Sequence, residues 1–185
     1  LLAALFIALV IRDDRLVRLF ALGVTIIELG LAIAIFIVCI QGGGGYHLVE
    51  QHDWIKPLNI QYLLAVDGLS SPFVLLTGVL GMSACFISFS IQSRVREYFI
   101  WLLVLQSAVM GVFVSLDFVL FFIFWELELL PMYMLIYIWG SGRKEYSAMK
   151  FLIFTFSGSA FMLIGLLILY FSTGTFDMRD LPQQI

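Results

Sequence analysis

The feature that most constrains this sequence is a succession of long apolar runs, separated by short segments that carry charged residues, glycine or proline. A helix that crosses the hydrocarbon region of a bilayer needs about 20 mostly apolar residues, and it satisfies its own backbone polar groups. A chain of 185 residues has room for about six such runs with short loops. The sequence therefore predicts an all-α, polytopic membrane protein with about six transmembrane helices in a single transmembrane domain.

Polar residues and glycine set the limits of the predicted spans. The second span ends at the glycine run 42–45, because consecutive glycines oppose a helix through their backbone entropy. Asp67 is placed to cap the third span, and residues 115–117 separate the fourth from the fifth. The six spans are predicted at residues 1–11, 17–40, 66–91, 99–115, 118–139 and 149–172.

The remaining segments are interpreted as loops. The longest of them is residues 46–62, and residues 177–185 form a polar segment after the last span. The first apolar run is too short to cross a membrane, and no basic segment precedes it as in a signal peptide. We therefore expect the sequence to be a fragment that begins inside a first helix.

Basic residues alternate between loops and so predict the topology. Eight of the ten Lys and Arg residues belong to the first, third and fifth loops. Since Lys and Arg are retained on the cytoplasmic side, these three loops are predicted to face the cytoplasm, matrix or stroma. The eight residues are Arg12, Arg15, Arg18, Arg94, Arg96, Arg143, Lys144 and Lys150.

Composition and motifs exclude several functions. The chain is 12% charged, roughly half the fraction of a soluble domain, and its basic residues form no stripe for nucleic acid. Cys39 and Cys85 lie in apolar runs and are interpreted as inert thiols, and His47 and His52 as solvated loop residues. Without a phosphate loop, a CxxC motif or a His pair on one helix face, we expect this chain to bind no cofactor or metal.

Three glutamates inside the predicted spans are the candidate functional residues. Glu28 lies in the middle of the second span, and Glu126 and Glu128 near the middle of the fifth. A charge at this depth costs about 2.5–3.5 kcal/mol, so such residues normally face protein or water. Glu126 and Glu128 are about 200° apart around a helix and cannot form a tight pair.

Pro131 adds a second polar feature near these glutamates. A proline within a helix frees the carbonyl four residues before it, here that of Leu127, and bends the helix. A hydrated, polar position halfway across the bilayer would suit an ion or proton relay. The alternative is that each glutamate is neutral and hydrogen-bonded to a neighbouring helix, that Lys150 is an interfacial lysine, and that Asp117 lies at the interface.

Three motifs then resemble a known family. Residues 121–140, FFIFWELELLPMYMLIYIWG, resemble the fifth-helix signature of the M-type, antiporter-like subunit of respiratory complex I, the NADH–quinone oxidoreductase. Residues 143–155, RKEYSAMKFLIFT, resemble the start of that family's sixth helix, and VDGLS at 66–70 resembles the opening of its third. The resemblance implies the first half of an antiporter-like helix bundle.

The resemblance also implies residue roles and partners. Glu126 corresponds to the fifth-helix glutamate of the proton channel and Lys150 to the sixth-helix lysine, whereas the lysine partner of Glu126 belongs to a seventh helix that this sequence does not reach. The family's complexes use NADH or ferredoxin, quinone, FMN and iron–sulfur clusters, all bound by other subunits. The implied partners are the L- and N-type subunits, in a bacterial plasma membrane, a thylakoid or the mitochondrial inner membrane.

Three functions remain open at this point. The first is a proton-translocating, non-redox subunit of an NADH– or ferredoxin–quinone oxidoreductase, with Glu126 and Lys150 in the proton pathway and Glu128 and Glu28 as further candidates. The second is the D subunit of a multisubunit sodium/proton antiporter, which uses the same helices. The third is a purely structural membrane subunit, in which the glutamates serve only packing.

Overall fold

A computed structural model describes residues 1–180 of the chain, and within this part it is a bundle of α-helices with one β-hairpin. Five helices of the described part are long and apolar enough to cross a membrane, which confirms the prediction of a polytopic helical protein. The first predicted span is a shorter helix of eight residues. The helices are α1 Leu2–Leu9, α2 Asp14–Gly42, α3 Ser70–Ile87, α4 Val95–Val114, α5 Phe118–Trp139 and α6 Lys144–Thr173.

Helix packing places the core near one end of the bundle. α2 packs on α3, and α4 packs on α1, α2, α3 and α5, whereas α6 contacts chiefly α5 and is the least buried of the long helices. Small and branched residues of α1 and α2 pack around Phe99 of α4, which is fully buried. α4 is therefore the central helix of the described bundle.

Side chains close the end of the bundle that carries the basic loops. The Arg18 guanidinium donates to the Ile91 carbonyl at 2.7 Å, and Arg96 donates to the carbonyls of Ile7 and Ala8 at the end of α1. The Trp139 indole N–H donates to the Ser93 carbonyl at 2.8 Å.

At the end of the bundle with the basic loops, Lys144 Nζ also donates a hydrogen bond to the Ile138 carbonyl at 2.6 Å. The loops after α1, α3 and α5 therefore lie at one end of the bundle, as the alternation of basic residues predicts, and we call it the basic end. The compartment that it faces stays a prediction.

Backbone pairing closes the opposite end, which we call the hairpin end. β1 His47–Ile55 and β2 Ile60–Val66 form an antiparallel pair, joined by a short 3₁₀ turn at Lys56–Leu58. The Leu116 N–H donates to the Leu63 carbonyl at 3.0 Å, and the Met178 N–H donates to the Leu116 carbonyl at 2.9 Å. Residues 115–117, β2 and the segment after α6 therefore form one hydrogen-bonded layer.

The hairpin is the main departure from the predicted fold, because residues 46–62 were interpreted as a loop and 66 as the start of the third span. β1 is almost entirely exposed, so its sequence carries no alternation of apolar and polar residues. Val66 pairs with His47 in the sheet. Helix α3 therefore begins only at Ser70, where the Asp67 carboxylate accepts the Leu69 and Ser70 N–H groups as expected of a cap.

Other boundaries moved outward from the predicted ones. α2 begins at Asp14 and ends at Gly42, where Gly43 has a φ of +75° that favours glycine. α4 begins at Val95 and α6 at Lys144, each a turn or more before the predicted start. The predicted break at 115–117 is confirmed. Of the polar segment predicted at 177–185, residues 181–185 lie outside the described part.

Candidate functional site

Helix α5 carries two of the candidate carboxylates and is anchored at the hairpin end. Asp117 is fully buried, and its carboxylate accepts the Val119 and Leu120 N–H groups at 2.8 and 3.1 Å, as an N-cap does. Its second oxygen accepts the Gln61 N–H of β2 at 3.1 Å. Asp117 was predicted as an interfacial residue; the structure gives it a precise role as the joint between α5 and the hairpin.

Burial dominates the electrostatics of this joint. It raises the pKa of Asp117, while the three N–H groups act to lower that pKa and the nearby charge of Asp177 raises it further. Asp177 is itself buried and pairs with Arg179, whose Nη2 lies 2.7 Å from Asp177 Oδ2. The hydrogen bonds from Arg179 to Asp177 raise the pKa of Arg179 and keep it charged.

Glu126 lies eight residues into α5, which is about 12 Å along the helix from the hairpin end. Its side chain is half-buried, and Oε1 is completely buried without a hydrogen-bond partner among the described residues. Tyr133, on the same stripe of the helix, donates its hydroxyl to Met149 Sδ of α6 at 3.8 Å. Glu126 therefore lies on the side of α5 that turns towards α6.

Pro131 is buried within α5, and the helix continues through it to Trp139. Because proline has no N–H, the Leu127 carbonyl has no α-helical donor at this position. Glu126 Oε1 and the Leu127 carbonyl oxygen, neither of which has its hydrogen-bond donor, thus lie within one turn of each other. This part of α5 can accept protons or water hydrogens, which is the property that a relay requires.

Glu128 lies on the other side of α5, as the 200° spacing predicts. It is half-buried, and it stands one turn beyond Phe124 on the same stripe. Phe124 packs against α4 so closely that a methyl group at Gly111 would overlap its ring. The structure thus assigns Glu126 and Glu128 to different neighbours, α6 and α4, and does not bring them together.

Glu28 lies in the middle of α2 and lines an open groove of about 500 Å³ between α1, α2, α4 and α5. The groove is mainly apolar, and Ser107 of α4 is its other hydroxyl- or carboxyl-bearing residue. Phe124 of α5 closes one side of it. Glu28 therefore lies in a groove that Phe124 of α5 lines and Glu126 does not.

Lys150 lies on an exposed face of α6 rather than at the first turn. Since α6 begins at Lys144, Lys150 is six residues, or about 9 Å, inside the helix. It lines an open, largely apolar groove of about 630 Å³ together with Met149, Ile153 and Phe154. The helix thus begins earlier than predicted, whereas the place of Lys150 relative to the membrane interface stays a prediction.

Ion pairs within residues 1–180 lie at the two ends of the bundle, and none involves Glu28, Glu126, Glu128 or Lys150. The pairs are His52–Glu50, Lys56–Asp53, Arg94–Glu97 and Arg179–Asp177. In the same part of the chain, no three His, Cys, Asp or Glu side chains come together as ligands for a metal. The chemistry available in the middle of the bundle is that of isolated carboxyl groups, which can take up and release protons.

Gln106 is a polar residue of the membrane interior that the sequence analysis did not select. It is 6% exposed on α4, and neither its amide nitrogen nor its oxygen has a partner among the described residues. A search for charged residues passes over a glutamine. The usable signal was an amide in the middle of an apolar run, where polar side chains are also costly.

These features define a class: an integral membrane helical bundle with titratable carboxyl groups in mid-span. Known proteins agree with that class. The family described as "NADH:quinone oxidoreductase/Mrp antiporter, TM" matches residues 115–185, which include all of α5 and α6. The chain belongs to this family of membrane subunits.

The relatives in sequence are subunits of one kind of complex. The chain is 38% identical to NAD(P)H-quinone oxidoreductase chain 4 2 of Thermosynechococcus vestitus over 97% of its own length and 34% of the relative's. It is 39% identical to chain 4-2 of Synechocystis over 98% of its length and 33% of the relative's. The chain thus spans about a third of these relatives, and the resemblance to the M-type subunit is confirmed.

Solved structures share the fold. A chain of respiratory complex I from Thermus thermophilus superposes with a TM-score of 0.85 at 21% identity, over 97% of this chain and 36% of that one. A chain of the Mrp complex from Dietzia superposes with a TM-score of 0.79 at 24% identity, over 95% and 33%. The bundle and hairpin described above are therefore the antiporter-like fold.

Proposed function

We propose that this chain forms the front part of a proton-translocating, non-redox membrane subunit of an NAD(P)H- or ferredoxin-quinone oxidoreductase. The observation that carries the proposal is Glu126, a carboxyl group in mid-span whose buried Oε1 has no protein partner in the described part. The chain-4 relatives are subunits of a quinone oxidoreductase, which supports the assignment of the complex.

Glu126 acts as the proton-holding group. A carboxylate in the bilayer interior is costly, so the protonated form is neutral and tolerated, and the charged form needs a transient partner or water. The Leu127 carbonyl freed by Pro131 is an acceptor within one turn and can hold a donor such as water beside Glu126. Proton movement then alternates between a neutral and a charged Glu126 without any covalent change.

Lys150 and the other glutamates have separate positions and so separate roles. Lys150, about 9 Å inside α6, presents a cation on the groove lined by Met149 and Ile153, where it can favour the charged form of a nearby acid. Glu128 and Glu28 lie towards α4 and serve as secondary sites. We rank them after Glu126 because each is reached from a different side of the bundle.

Electron transfer belongs elsewhere in the complex. We propose that NADH or ferredoxin, FMN, the iron–sulfur clusters and quinone are handled by other subunits. The L- and N-type antiporter-like subunits are the proposed membrane neighbours. The chain lies in the membrane, and the cyanobacterial relatives support a thylakoid or plasma membrane as the particular one.

The basic end is proposed to face the cytoplasm or stroma, because Lys and Arg are retained on that side. Single cysteines at Arg94 and Arg143 should react with an impermeant thiol reagent from the same side, and a cysteine at Gln51 of the hairpin from the other. Labelling of Arg94 and Arg143 from opposite sides would contradict this topology.

The test of the function is the Glu126→Gln substitution in the complete subunit, assembled in its complex. Glutamine keeps the size and hydrogen-bonding capacity of the side chain and removes the titratable proton. We expect proton uptake into vesicles to fall by about tenfold or more, since a positioned acid–base group contributes about 10²–10⁴-fold. Quinone reduction is measured alongside, and a native gel checks assembly.

A cation/proton antiporter subunit is the second candidate, because the fold is shared with a chain of an Mrp complex. It predicts that the same Glu126→Gln variant abolishes sodium-dependent proton exchange in vesicles without any added electron donor. A purely structural subunit predicts normal pumping in an assembled Glu126→Gln complex. The three functions thus differ in the result of one substitution.

A further inference from the structure

The inference concerns the hydrogen-bond donor that an ionised Glu126 needs. An ionised carboxylate accepts hydrogen bonds only, and in the membrane interior it is costly unless a donor reaches it. The nearby Leu127 carbonyl is itself an acceptor, and the Tyr133 hydroxyl donates to Met149 Sδ two turns away. Glu126 Oε1 has no partner in the described chain, so its charged form lacks a donor there.

Helix α6 presents one buried stripe to α5. Its most buried residues are Ala148, Ser159 and Leu166, and they recur at the spacing of one face of a helix. α6 packs chiefly on α5, so this stripe is the side of α6 that α5 covers. Thr155 is half-buried and lies one turn before Ser159 on the same stripe. α6 therefore presents two hydroxyl-bearing residues to α5.

The register of α5 and α6 places Glu126 at the level of these two residues. The Tyr133 hydroxyl contacts Met149 Sδ at 3.8 Å, which fixes one level that the two antiparallel helices share. Glu126 is seven residues, or about 10 Å, from Tyr133 towards the hairpin end. The same step along α6 from Met149 leads to the turn between Thr155 and Ser159. Since Glu126 turns towards α6, it faces that turn.

The Ser159 hydroxyl makes the longest of the bonds that hydroxyls of α6 donate to carbonyls four residues earlier. Ser159 is 4% exposed, and its Oγ donates to the Thr155 carbonyl at 3.2 Å. The other four distances are 2.7–2.9 Å. Because an O–H···O bond normally measures about 2.5–3.0 Å, the Ser159 bond is the weakest of the five. The Ser159 hydroxyl is thus the easiest of them to redirect.

We propose that Ser159 is a positioning residue for Glu126. Its hydroxyl turns from the Thr155 carbonyl to the Glu126 carboxylate when Glu126 is ionised, and it turns back when Glu126 is protonated. The new bond is favoured because a bond to a charged acceptor is stronger than one to a carbonyl. The Thr155 carbonyl keeps its helical donor, the Ser159 N–H, so the rotation leaves no backbone group without a partner.

The use of this bond in proton transfer rests on the proposed function. A hydroxyl that donates to the ionised form of Glu126 lowers the cost of the charged state through which each proton passes. The bond itself is a contact between two side chains and does not depend on that use. It can therefore be tested whatever the effect of Glu126→Gln on pumping.

The experiment compares Ser159→Ala with Ser157→Ala in the complete complex. Ser157 makes the same kind of bond, to the Ile153 carbonyl at 2.7 Å, but it is exposed and about 200° away from Ser159 around α6. Each change removes one hydroxyl at the same depth of the same helix. We expect Ser159→Ala to lower proton uptake per quinone reduced by about threefold to tenfold, the usual effect of one hydrogen bond on an equilibrium. Ser157→Ala should leave this ratio unchanged.

Infrared difference spectra between acid and alkaline pH supply a measurement that packing alone would not change. The carboxylate bands of Glu126, identified by their loss in Glu126→Gln, should shift in Ser159→Ala and keep their native positions in Ser157→Ala. Ser159→Cys keeps a weak donor at nearly the same size, so it should shift the bands by a smaller amount. It also serves as the test variant if Ser159→Ala fails to assemble.

Other results overturn the inference. Unchanged bands in Ser159→Ala and Ser159→Cys, or the loss of no carboxylate band in Glu126→Gln, would show that Ser159 does not donate to an ionised Glu126. Equal shifts in Ser159→Ala and Ser157→Ala would show an effect of α6 as a whole rather than of this hydroxyl. Normal pumping in Glu126→Gln would instead refute the proposed function, and the bands of the serine variants would still decide whether the contact exists.

Discussion

Buried polar groups at the hairpin end of this bundle have hydrogen-bond partners, whereas several buried polar atoms in its middle have none in the described chain. At the hairpin end, the buried Asp117 carboxylate accepts three N–H groups, and the buried Asp177 pairs with Arg179. In the middle, Glu126 Oε1 and both amide atoms of Gln106 have no partner in the described chain.

The difference shows where the fold stabilises itself and where it keeps groups available. A carboxylate that is fully hydrogen-bonded cannot take part in proton exchange without the loss of those bonds, whereas an unpartnered one can. The hairpin end is therefore stabilised by its backbone layer and by the hydrogen bonds of its buried carboxylates. Function is expected in the interior, where the hydrogen-bonding capacity is unused.

Loss of Asp117 should give the largest effect on stability. Asp117→Ala removes the cap of α5 and leaves the Gln61 N–H of β2 without its acceptor. We expect a loss of about 2–4 kcal/mol in local stability, from about 1 kcal/mol for the cap and about 1–3 kcal/mol for the buried donor. Amide hydrogen exchange of Gln61, Val119 and Leu120 in the assembled subunit measures it.

The matched control is Asp117→Asn, because asparagine is as good an N-cap as aspartate. Its carbonyl oxygen can keep the bonds to Val119 and Leu120, but its NH2 group cannot accept the Gln61 N–H, so we expect a loss of about 1–3 kcal/mol confined to exchange at Gln61. Loss of protection at Val119 and Leu120 equal to that in Asp117→Ala would mean that the charge of Asp117, rather than its hydrogen bonds, maintains the cap.

The hairpin end should also depend on pH, with a sign set by burial. Burial raises the folded-state pKa of Asp117, so the folded state binds this proton more tightly than the unfolded state. The contribution of Asp117 to stability is then fully present below its ordinary pKa and is lost as the pH rises through the folded pKa. Asp177 and Arg179 are the charged groups near this joint.

Exchange at Val119 and Leu120, corrected for intrinsic rates, should speed up as the pH rises from about 4.5 to about 7.5, a window that begins just above an ordinary carboxyl pKa. In Asp117→Asn this dependence should disappear. If the protection of the Val119 and Leu120 amides against exchange instead increased with pH, the three N–H groups would outweigh burial and lower the pKa of Asp117.

Smaller effects on proton uptake are expected from substitutions at Glu28 and Lys150. Glu28→Gln and Lys150→Met should each lower proton uptake less than Glu126→Gln, because Glu28 lies in a groove that Glu126 does not line and Lys150 is exposed on α6. The three variants are ranked by the ratio of protons taken up to quinone reduced, measured in vesicles of equal protein content. If Lys150→Met lowered proton uptake as much as Glu126→Gln does, the two residues would act as one essential pair.

The sequence predicted the helical spans because the bilayer imposes a length of about 20 apolar residues on each. The break at 115–117 and the cap at Asp67 were likewise readable from local chemistry. The hairpin was not, since β1 is exposed on both faces and is held by backbone bonds to β2, whose register depends on residues 115–117 far along the chain.

The candidate site was predictable to the extent that it carries charge. Glu28, Glu126 and Glu128 stand out within apolar runs, and the separation of Glu126 from Glu128 follows from helix geometry. Gln106 is neutral, and it stands out only through its burial against Gly81 of α3. Only the packed bundle brings these two residues together.

The most direct test of the contrast between interior and end measures pumping and stability together, in assembled complexes that carry Glu126→Gln or Asp117→Ala. Glu126→Gln should lose most proton uptake per quinone reduced and keep native exchange protection at Val119 and Leu120. Asp117→Ala should lose that protection and keep the native ratio of protons to quinone. A Glu126→Gln complex that pumps normally, or an Asp117→Ala complex that is stable but uncoupled, would contradict the division of roles.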